Sequence, residues 1–244
     1  MDTKEGAGII IHGGFAGYLR DIYNVQVKYR ALLDKAEDAM DKVEEQFKAG
    51  YLGVEGREAE RAKAILDGKL LEQEAEEQKN AAVKAFTDAV ERFYKPDPLQ
   101  LKPEVKALLD SGILTEEELV ELAADHAGEP TLYRLIYQAA QQTGAALSIP
   151  PYHGGKDEKK ILSDYLGSTR AMTHFMDEGA GFMNPWIDRL FQQAVDRLAV
   201  LPVRPMSGSL SKEEVRKAAK RMNGASDGTT DKPAEEKAGV QSEK

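Results

Sequence analysis

Apolar residues recur at helical spacing over two long, highly charged stretches between about residues 19 and 94. Two interleaved rows of sevens run through the first stretch: Ile22, Tyr29, Ala36 and Val43, and three residues later Val25, Leu32 and Ala39. A third row, Leu33, Met40 and Phe47, widens the stripe. Rows of this kind form the a and d positions of a coiled-coil seam. We therefore expect a helix that self-associates through Ile22, Val25, Tyr29, Leu32 and Val43, although the same stripe also suits packing within one chain.

The second stretch begins near Val54 and follows a short link in which Gly50 suits the left-handed conformation of a helix end. A short link favours an antiparallel pair of helices, so residues 17–95 are predicted to form a long helical hairpin. The run Glu72–Asn80 is almost wholly polar. We interpret its carboxylates as a solvated face and its centre as exposed or loosely packed. Pro96 and Pro98 end the second helix.

Shorter helical patterns follow, and we place a small helical domain at residues 103–201. Thr115 and Glu118 form a capping-box pattern, and Pro130 suits the first turn of the next helix. A further helix is expected from Asp157 to about Met176. The last core helix is expected to open at Pro185 and to carry Trp186 inward.

The two ends of the chain differ from the middle. Residues 1–16 are rich in glycine and predict a flexible arm or a short strand. Residues 206–244 have few apolar residues and predict a mostly disordered tail. Within that tail, residues 211–222 predict a short basic helix that docks on a partner through Arg216, Lys217, Lys220 and Arg221. The predicted fold class is thus all-α: a long hairpin, a small multi-helix domain and a disordered tail.

The composition and net charge of the chain argue against several classes of function. The chain of 244 residues carries a net charge of -9 and no cysteine. The negative charge argues against broad nucleic-acid binding, because phosphate contacts need clustered lysine and arginine. The lack of cysteine fits a reducing compartment, and neither a membrane span nor a signal peptide is indicated, so we expect a cytoplasmic protein.

Motifs for catalysis are weak. An apolar run before His12-Gly13-Gly14 resembles an oxyanion-hole loop, but the nucleophile elbow Gly-x-Ser-x-Gly is absent. The four histidines have no metal-binding spacing, and none lies three residues after a glutamate as in helical di-iron sites. Phosphate-binding glycine motifs are also absent. The sequence therefore predicts no catalytic residues, no metal and no cofactor.

Three segments together suggest a family type: the hairpin turn Lys48–Gly53, the segment Leu108–Leu122 and the segment Glu129–Ile136. Over about residues 20–145 the chain resembles small helical proteins from the head-morphogenesis region of tailed bacteriophages and prophages. The resemblance implies a role in capsid assembly, as an internal scaffold or a capsid-associated protein. Such scaffolds are similar in being acidic, free of cysteine, elongated and self-associating, with a basic C-terminal helix that contacts the coat protein.

We therefore expect a non-enzymatic assembly protein that forms a dimer or higher homo-oligomer and acts in the host cytoplasm or the assembling virion. The segment 103–201, with Trp186 and many short helices, departs from a simple rod scaffold. It leaves open a protein-binding or regulatory module of a host cell that acts through this domain. A third alternative is an enzyme whose site is built from distant residues around His153 and His174.

Overall fold

The computed structural model describes residues 14–176, 184–205 and 211–224. Within these ranges the chain is all-α, with helices, turns and no strand. The α-helices are α1 (Phe15–Lys48), α2 (Val54–Tyr94), α3 (Pro103–Ser111), α4 (Glu116–Asp125), α5 (Pro130–Thr143), α6 (Lys156–Ser168), α7 (Ile187–Ala199) and α8 (Lys212–Gly224). Short 3₁₀ helices lie at Pro98–Gln100, Ala145–Ser148, Arg170–Thr173 and Asn184–Trp186.

The first two helices form the predicted hairpin. They contain 34 and 41 residues, so they span about 50 and 60 Å at the rise of an α-helix. Gly50 lies just beyond the end of α1 with φ 78°, and the amide of Tyr51 donates to the carbonyl of Gln46. This left-handed glycine closes α1 and lets the chain reverse into α2.

Two hydrophobic cores hold the rest of the chain. One is built from α3, α4 and α5, and it also buries Val203 and Val215. The other joins the base of the hairpin to α6 and α7, and its aromatic members include Phe15, Phe86 and Phe191. The division into a hairpin at 17–95 and a domain at 103–201 stays a prediction, but the packing groups α6 and α7 with the hairpin.

Capping and proline patterns in the sequence predicted the starts of several helices correctly. Thr115 caps α4: its hydroxyl accepts from the amide of Glu118 at 3.4 Å, and its own amide donates to the Glu118 carboxylate at 2.8 Å. Pro130 stands in the first turn of α5. Ser211 and Glu214 repeat the same reciprocal cap at α8, at 2.9 and 3.2 Å.

Other expectations need correction. α1 begins at Phe15, whose side chain is buried, so the predicted N-terminal arm ends earlier than residue 16; residues 1–13 lie outside the described ranges. α6 ends at Ser168 rather than near Met176. Trp186 is 52% exposed and does not enter a core. Most of the predicted tail, residues 206–210 and 225–244, also lies outside the described ranges.

Candidate functional site: the hairpin and the terminal helix

The predicted seam of α1 consists of two rows of residues, and the structure buries only one of these rows inside the chain. Ile22 and Tyr29 are nearly inaccessible and Val43 is buried, whereas Val25 and Leu32 are only partly buried. The buried row that interleaves with them lies one residue later than the predicted row of Val25, Leu32 and Ala39, and consists of Leu19, Gln26, Leu33 and Met40. The sequence showed the later part of this row at Leu33 and Met40, and the polar Gln26 concealed its continuation back to Leu19. Association of two chains through the seam stays a prediction.

Gln26 can be buried because both polar atoms of its side-chain amide form hydrogen bonds. The hydroxyl of Tyr165 donates to Gln26 Oε1 at 2.8 Å, and Gln26 Nε2 donates to Thr169 Oγ1 at 2.7 Å. Thr169 in turn donates to the carbonyl of Tyr165 at 2.9 Å. A buried polar network of this kind is tolerated when its hydrogen-bonding groups are paired, and here it links α1 to the end of α6.

Arg30 is the largest fully buried side chain of α1 and is only 1% exposed. Its Nε lies 2.5 Å from Asp34 Oδ1, and its Nη2 lies 2.8 Å from Glu37 Oε1. Nη1 donates to the carbonyl of His174 at 3.0 Å. A guanidinium buried this deeply needs carboxylates and acceptors around it, since an unpaired buried charge is costly.

Residues 169–176, here called the strap, cross the hairpin and contact both of its helices. Thr173 donates to Glu76 at 2.5 Å, and His174 Nδ1 lies 2.8 Å from Glu72 Oε1 on α2. On α1, the amide of Met176 donates to Glu37 at 2.8 Å. The strap thus fixes the two helices against each other through polar contacts.

The acidic run of α2 is therefore not simply a solvated face. Burial would raise the pKa of Glu76, but hydrogen bonds from Lys79 and Thr173 outweigh it and hold the pKa below its ordinary value. Glu74 accepts from the hydroxyl of Tyr29 at 2.5 Å, and this hydrogen bond is the main cause that raises the pKa of Tyr29 to about 12. Ala75, between these carboxylates, is fully buried. The run is thus exposed at Gln73, Glu74 and Glu77, as expected, but its inner side is packed at Ala75.

Beyond the strap, residues 38–67 form the outer part of the hairpin, here called the distal arm. In the described part of the chain, the side-chain hydrogen bonds and ion pairs of the distal arm stay within the hairpin. Arg57 bonds to Glu44 at 2.8 and 3.0 Å, and its guanidinium lies over the Phe47 ring. Arg61 lies 3.8 Å from the same carboxylate. The distal arm thus has few polar side-chain contacts, and its packing depends on apolar residues such as Met40 and Val43.

The outward face of α2 carries apolar residues that no described element covers. Leu66 and Leu70 are 58% and 57% exposed, and Ala59, Ala62 and Gln73 share their face of the helix at spacings of three and four. These five residues are called the outer stripe below. The sequence marks Ala62, Leu66 and Leu70 as apolar positions of one helix face, but it does not show that this face is exposed, because the same residues also fit an inward-facing helix.

The predicted basic helix is present as α8, but it lies on the chain's own helical domain. Val215 and Ala219 are buried, and Lys212 Nζ lies 2.9 Å from Glu121 Oε2 of α4. Arg216 pairs with Glu117. Lys217, Lys220 and Arg221 remain exposed. Docking of these cations on a partner stays a prediction, and Arg216 already has an acidic neighbour within the chain.

The proposed enzyme alternative gains little from the two histidines. His153 Nδ1 lies 2.7 Å from Asp157 at the surface, while His174 bonds to Glu72 within the strap contact. Among the described residues, no group of three or more histidine, cysteine or acidic side chains is placed to hold a metal ion. Neither pair forms a catalytic constellation with a nucleophile.

A buried carboxyl group, which the sequence did not single out, lies near His153. Glu158 accepts from the hydroxyl of Tyr94 at 2.6 Å, and the same hydroxyl lies 2.9 Å from the carbonyl of Val203. Burial raises the pKa of Glu158. The cavity beside these residues has a volume of about 10 Å³, room for about one water molecule, so it does not admit an organic substrate.

No helix in the described ranges has the length and apolar content that crossing a lipid bilayer requires. Comparisons with protein-family models, with curated proteins and with solved structures found no match to this chain. A function is therefore inferred from its own geometry and from the sequence resemblance over residues 20–145.

Proposed function

We propose that this protein is a non-enzymatic assembly protein that associates with itself through the hairpin. The observation that carries the proposal is the distal arm with its exposed outer stripe. A helical pair that leaves both cores and exposes Leu66 and Leu70 offers a surface for another chain.

We propose that the chain acts in bacteriophage capsid assembly, as a scaffold or a capsid-associated protein. This setting comes from the sequence resemblance, and the acidic, cysteine-free composition supports it. The exposed cations Lys217, Lys220 and Arg221 would supply the contact with an acidic surface of a structural protein. The test is co-sedimentation of the full chain with a coat protein from the same genome, with Lys220→Glu/Arg221→Glu as the variant.

Sedimentation velocity across a concentration series tests self-association of the full chain, since it reports mass and shape together. A dimer or larger species that grows with concentration is expected. A monomer at every concentration would refute self-association through the hairpin.

A second candidate is a protein-binding module that acts through the helical domain. One observation favours it: a groove of about 270 Å³ between the end of α7 and α8, with Val200 and Pro202 beside Arg204, Lys217 and Arg221. Its chemistry suits an acidic peptide with an apolar side chain. This candidate predicts a monomer that binds such a peptide, and fluorescence anisotropy with a labelled acidic peptide would distinguish it from the assembly protein.

A further inference from the structure

We infer that two copies of this chain pair antiparallel along the outer stripe of α2, with the two-fold axis between Ala62 and Leu66. This inference rests on the proposed self-association and adds the surface, the direction and the register. It depends on three features of α2: an uncovered apolar face, the separation of small and large residues into two halves of that face, and the order of charges on its two edges.

The stripe is apolar at its centre and faces away from the chain's own cores. Residues that face inward on α2, Gly68 and Ala75, are buried, and Leu66 lies on the opposite side of the helix. Covering Leu66 and Leu70 removes two large apolar side chains from water, which is the main driving force for association.

Small and large residues divide the stripe into two halves. Ala59 and Ala62 form the half nearer the hairpin turn, and Leu66 and Leu70 form the other. In an antiparallel pair, Ala59 lies opposite Leu70 of the other copy, and Ala62 lies opposite Leu66 of the other copy. Each leucine then fills the space left by an alanine. A parallel pair places each leucine against itself and each alanine against itself, which packs less evenly.

The charged residues at the edges of the stripe fit the same register. Glu58 and Lys69 lie on one edge, and Lys63 and Asp67 lie on the other. In the antiparallel register, Glu58 approaches Lys69 of the other copy, and Lys63 approaches Asp67 of the other copy. Opposite charges thus meet on both edges, and such flanking pairs set partner choice and direction in helical pairs.

The whole segment is also neutral, which favours a second copy over a charged partner. Residues 54–70 contain four acidic and four basic side chains, in a chain whose net charge is -9. Two copies can approach here without net repulsion, although the remainder of each chain is acidic. Because the contact covers only about four turns of each helix, it buries less than a standard interface of about 1,600 Å². We therefore expect a dissociation constant in the micromolar range.

Cysteine cross-linking tests the direction and register, because the natural chain has no cysteine. Glu58→Cys and Lys69→Cys are made as separate full-length variants and mixed under mild oxidation. The antiparallel register predicts a disulfide between the two variants and little between identical ones, whose positions lie about 15–18 Å apart along the helix. Cross-linking of each variant with itself would overturn the register in favour of a parallel pair.

Sedimentation equilibrium tests the surface. Leu66→Asp should raise the dissociation constant of the dimer by about tenfold or more, because it buries a charge at the centre of the contact. Leu99→Asp is the matched control, since Leu99 is 92% exposed outside the hairpin and its replacement should leave the dimer unchanged. Glu58→Lys should weaken the dimer, and adding Lys69→Glu to the same chain should restore it.

The outcomes separate this inference from the function on which it rests. A wild-type chain that dimerises and keeps its affinity in Leu66→Asp would overturn the outer stripe and leave self-association standing. A wild-type chain that is monomeric at all concentrations would overturn both. Loss of dimer in Leu66→Asp, with the Leu99→Asp control intact and the mixed cysteine pair cross-linked, is the expected result.

Discussion

The ring of Phe175 lies directly against the backbone of α2 at Gly68. A Cβ atom built on Gly68 would lie 2.3 Å from Phe175 Cζ, far inside van der Waals contact. Glycine normally weakens a helix interior by about 1 kcal/mol relative to alanine. Here it leaves the space in which the strap packs on the hairpin.

We therefore predict that Gly68→Ala destabilises the protein, by about 1–2 kcal/mol, because Phe175 must leave its position. Gly56→Ala is the matched control in the same helix: its Cβ meets only Leu52 at an ordinary 3.5 Å, so it should stabilise by about 0.5–1 kcal/mol. Urea unfolding of both variants measures the difference. Equal gains in stability would show that Phe175 does not rely on the glycine.

Replacement of Arg30 tests the buried charge of the hairpin. Arg30→Met leaves Asp34 and Glu37 without their cation and removes the hydrogen bond to the carbonyl of His174. Both carboxylates are partly exposed and regain contact with water in the variant. We therefore expect the free energy of unfolding to fall by about 2–3 kcal/mol, which is at or below the range for breaking a buried ion pair.

The control for Arg30 is Arg61→Met, since Arg61 is 48% exposed and its ion pair is long. This change should alter the free energy of unfolding by no more than about 0.5 kcal/mol. Thermal unfolding followed by circular dichroism compares the two. If both variants changed the free energy of unfolding by a similarly small amount, the contact between the strap and α1 would not depend on the Arg30 guanidinium.

Protonation of Glu158 predicts a dependence of stability on pH. Tyr94 has one hydroxyl hydrogen but lies within bonding distance of two acceptors, Glu158 and the carbonyl of Val203. A protonated Glu158 donates to the tyrosine oxygen and frees that hydrogen for Val203. The raised pKa of Glu158, caused by burial, fits this arrangement.

Because the pKa of Glu158 is higher in the folded state than its ordinary value of 4.5, the stability it contributes is present below 4.5. This contribution is lost as pH rises through the raised pKa. Glu158→Gln lacks the ionisation, so the wild type should lose stability relative to this variant as pH rises from about 4 to 8. A constant difference in unfolding free energy over that range would contradict the prediction.

A variant that detaches α8 from the helical domain tests which contacts hold this basic helix in place. Val215 is fully buried in the core of the helical domain, so Val215→Asp should release α8 from α4. Trypsin should then cut after Lys217 or Lys220 faster than in the wild type. Lys217→Gln, at an exposed position, serves as the control and should leave cleavage at Lys220 unchanged. Unchanged cleavage in Val215→Asp would show that the surface ion pairs alone hold the helix.

Much of the fold follows from local patterns of the sequence. Periodicity placed the two long helices, proline and the capping pair of Thr115 and Glu118 placed the ends of shorter ones, and Gly50 marked the turn. These signals act over one or two turns of chain, so they can be interpreted without knowing the neighbours. The all-α class rests on them.

The tertiary structure decided what each helix face meets. Gln26 and Arg30 are polar in sequence, yet they are buried because Thr169, Tyr165 and the carbonyl of His174 reach them from more than 130 residues away. For the same reason the acidic run of α2 is partly engaged by the strap and the outer stripe is left exposed. Periodicity shows that a face is apolar, but burial depends on a distant segment that local physics does not specify.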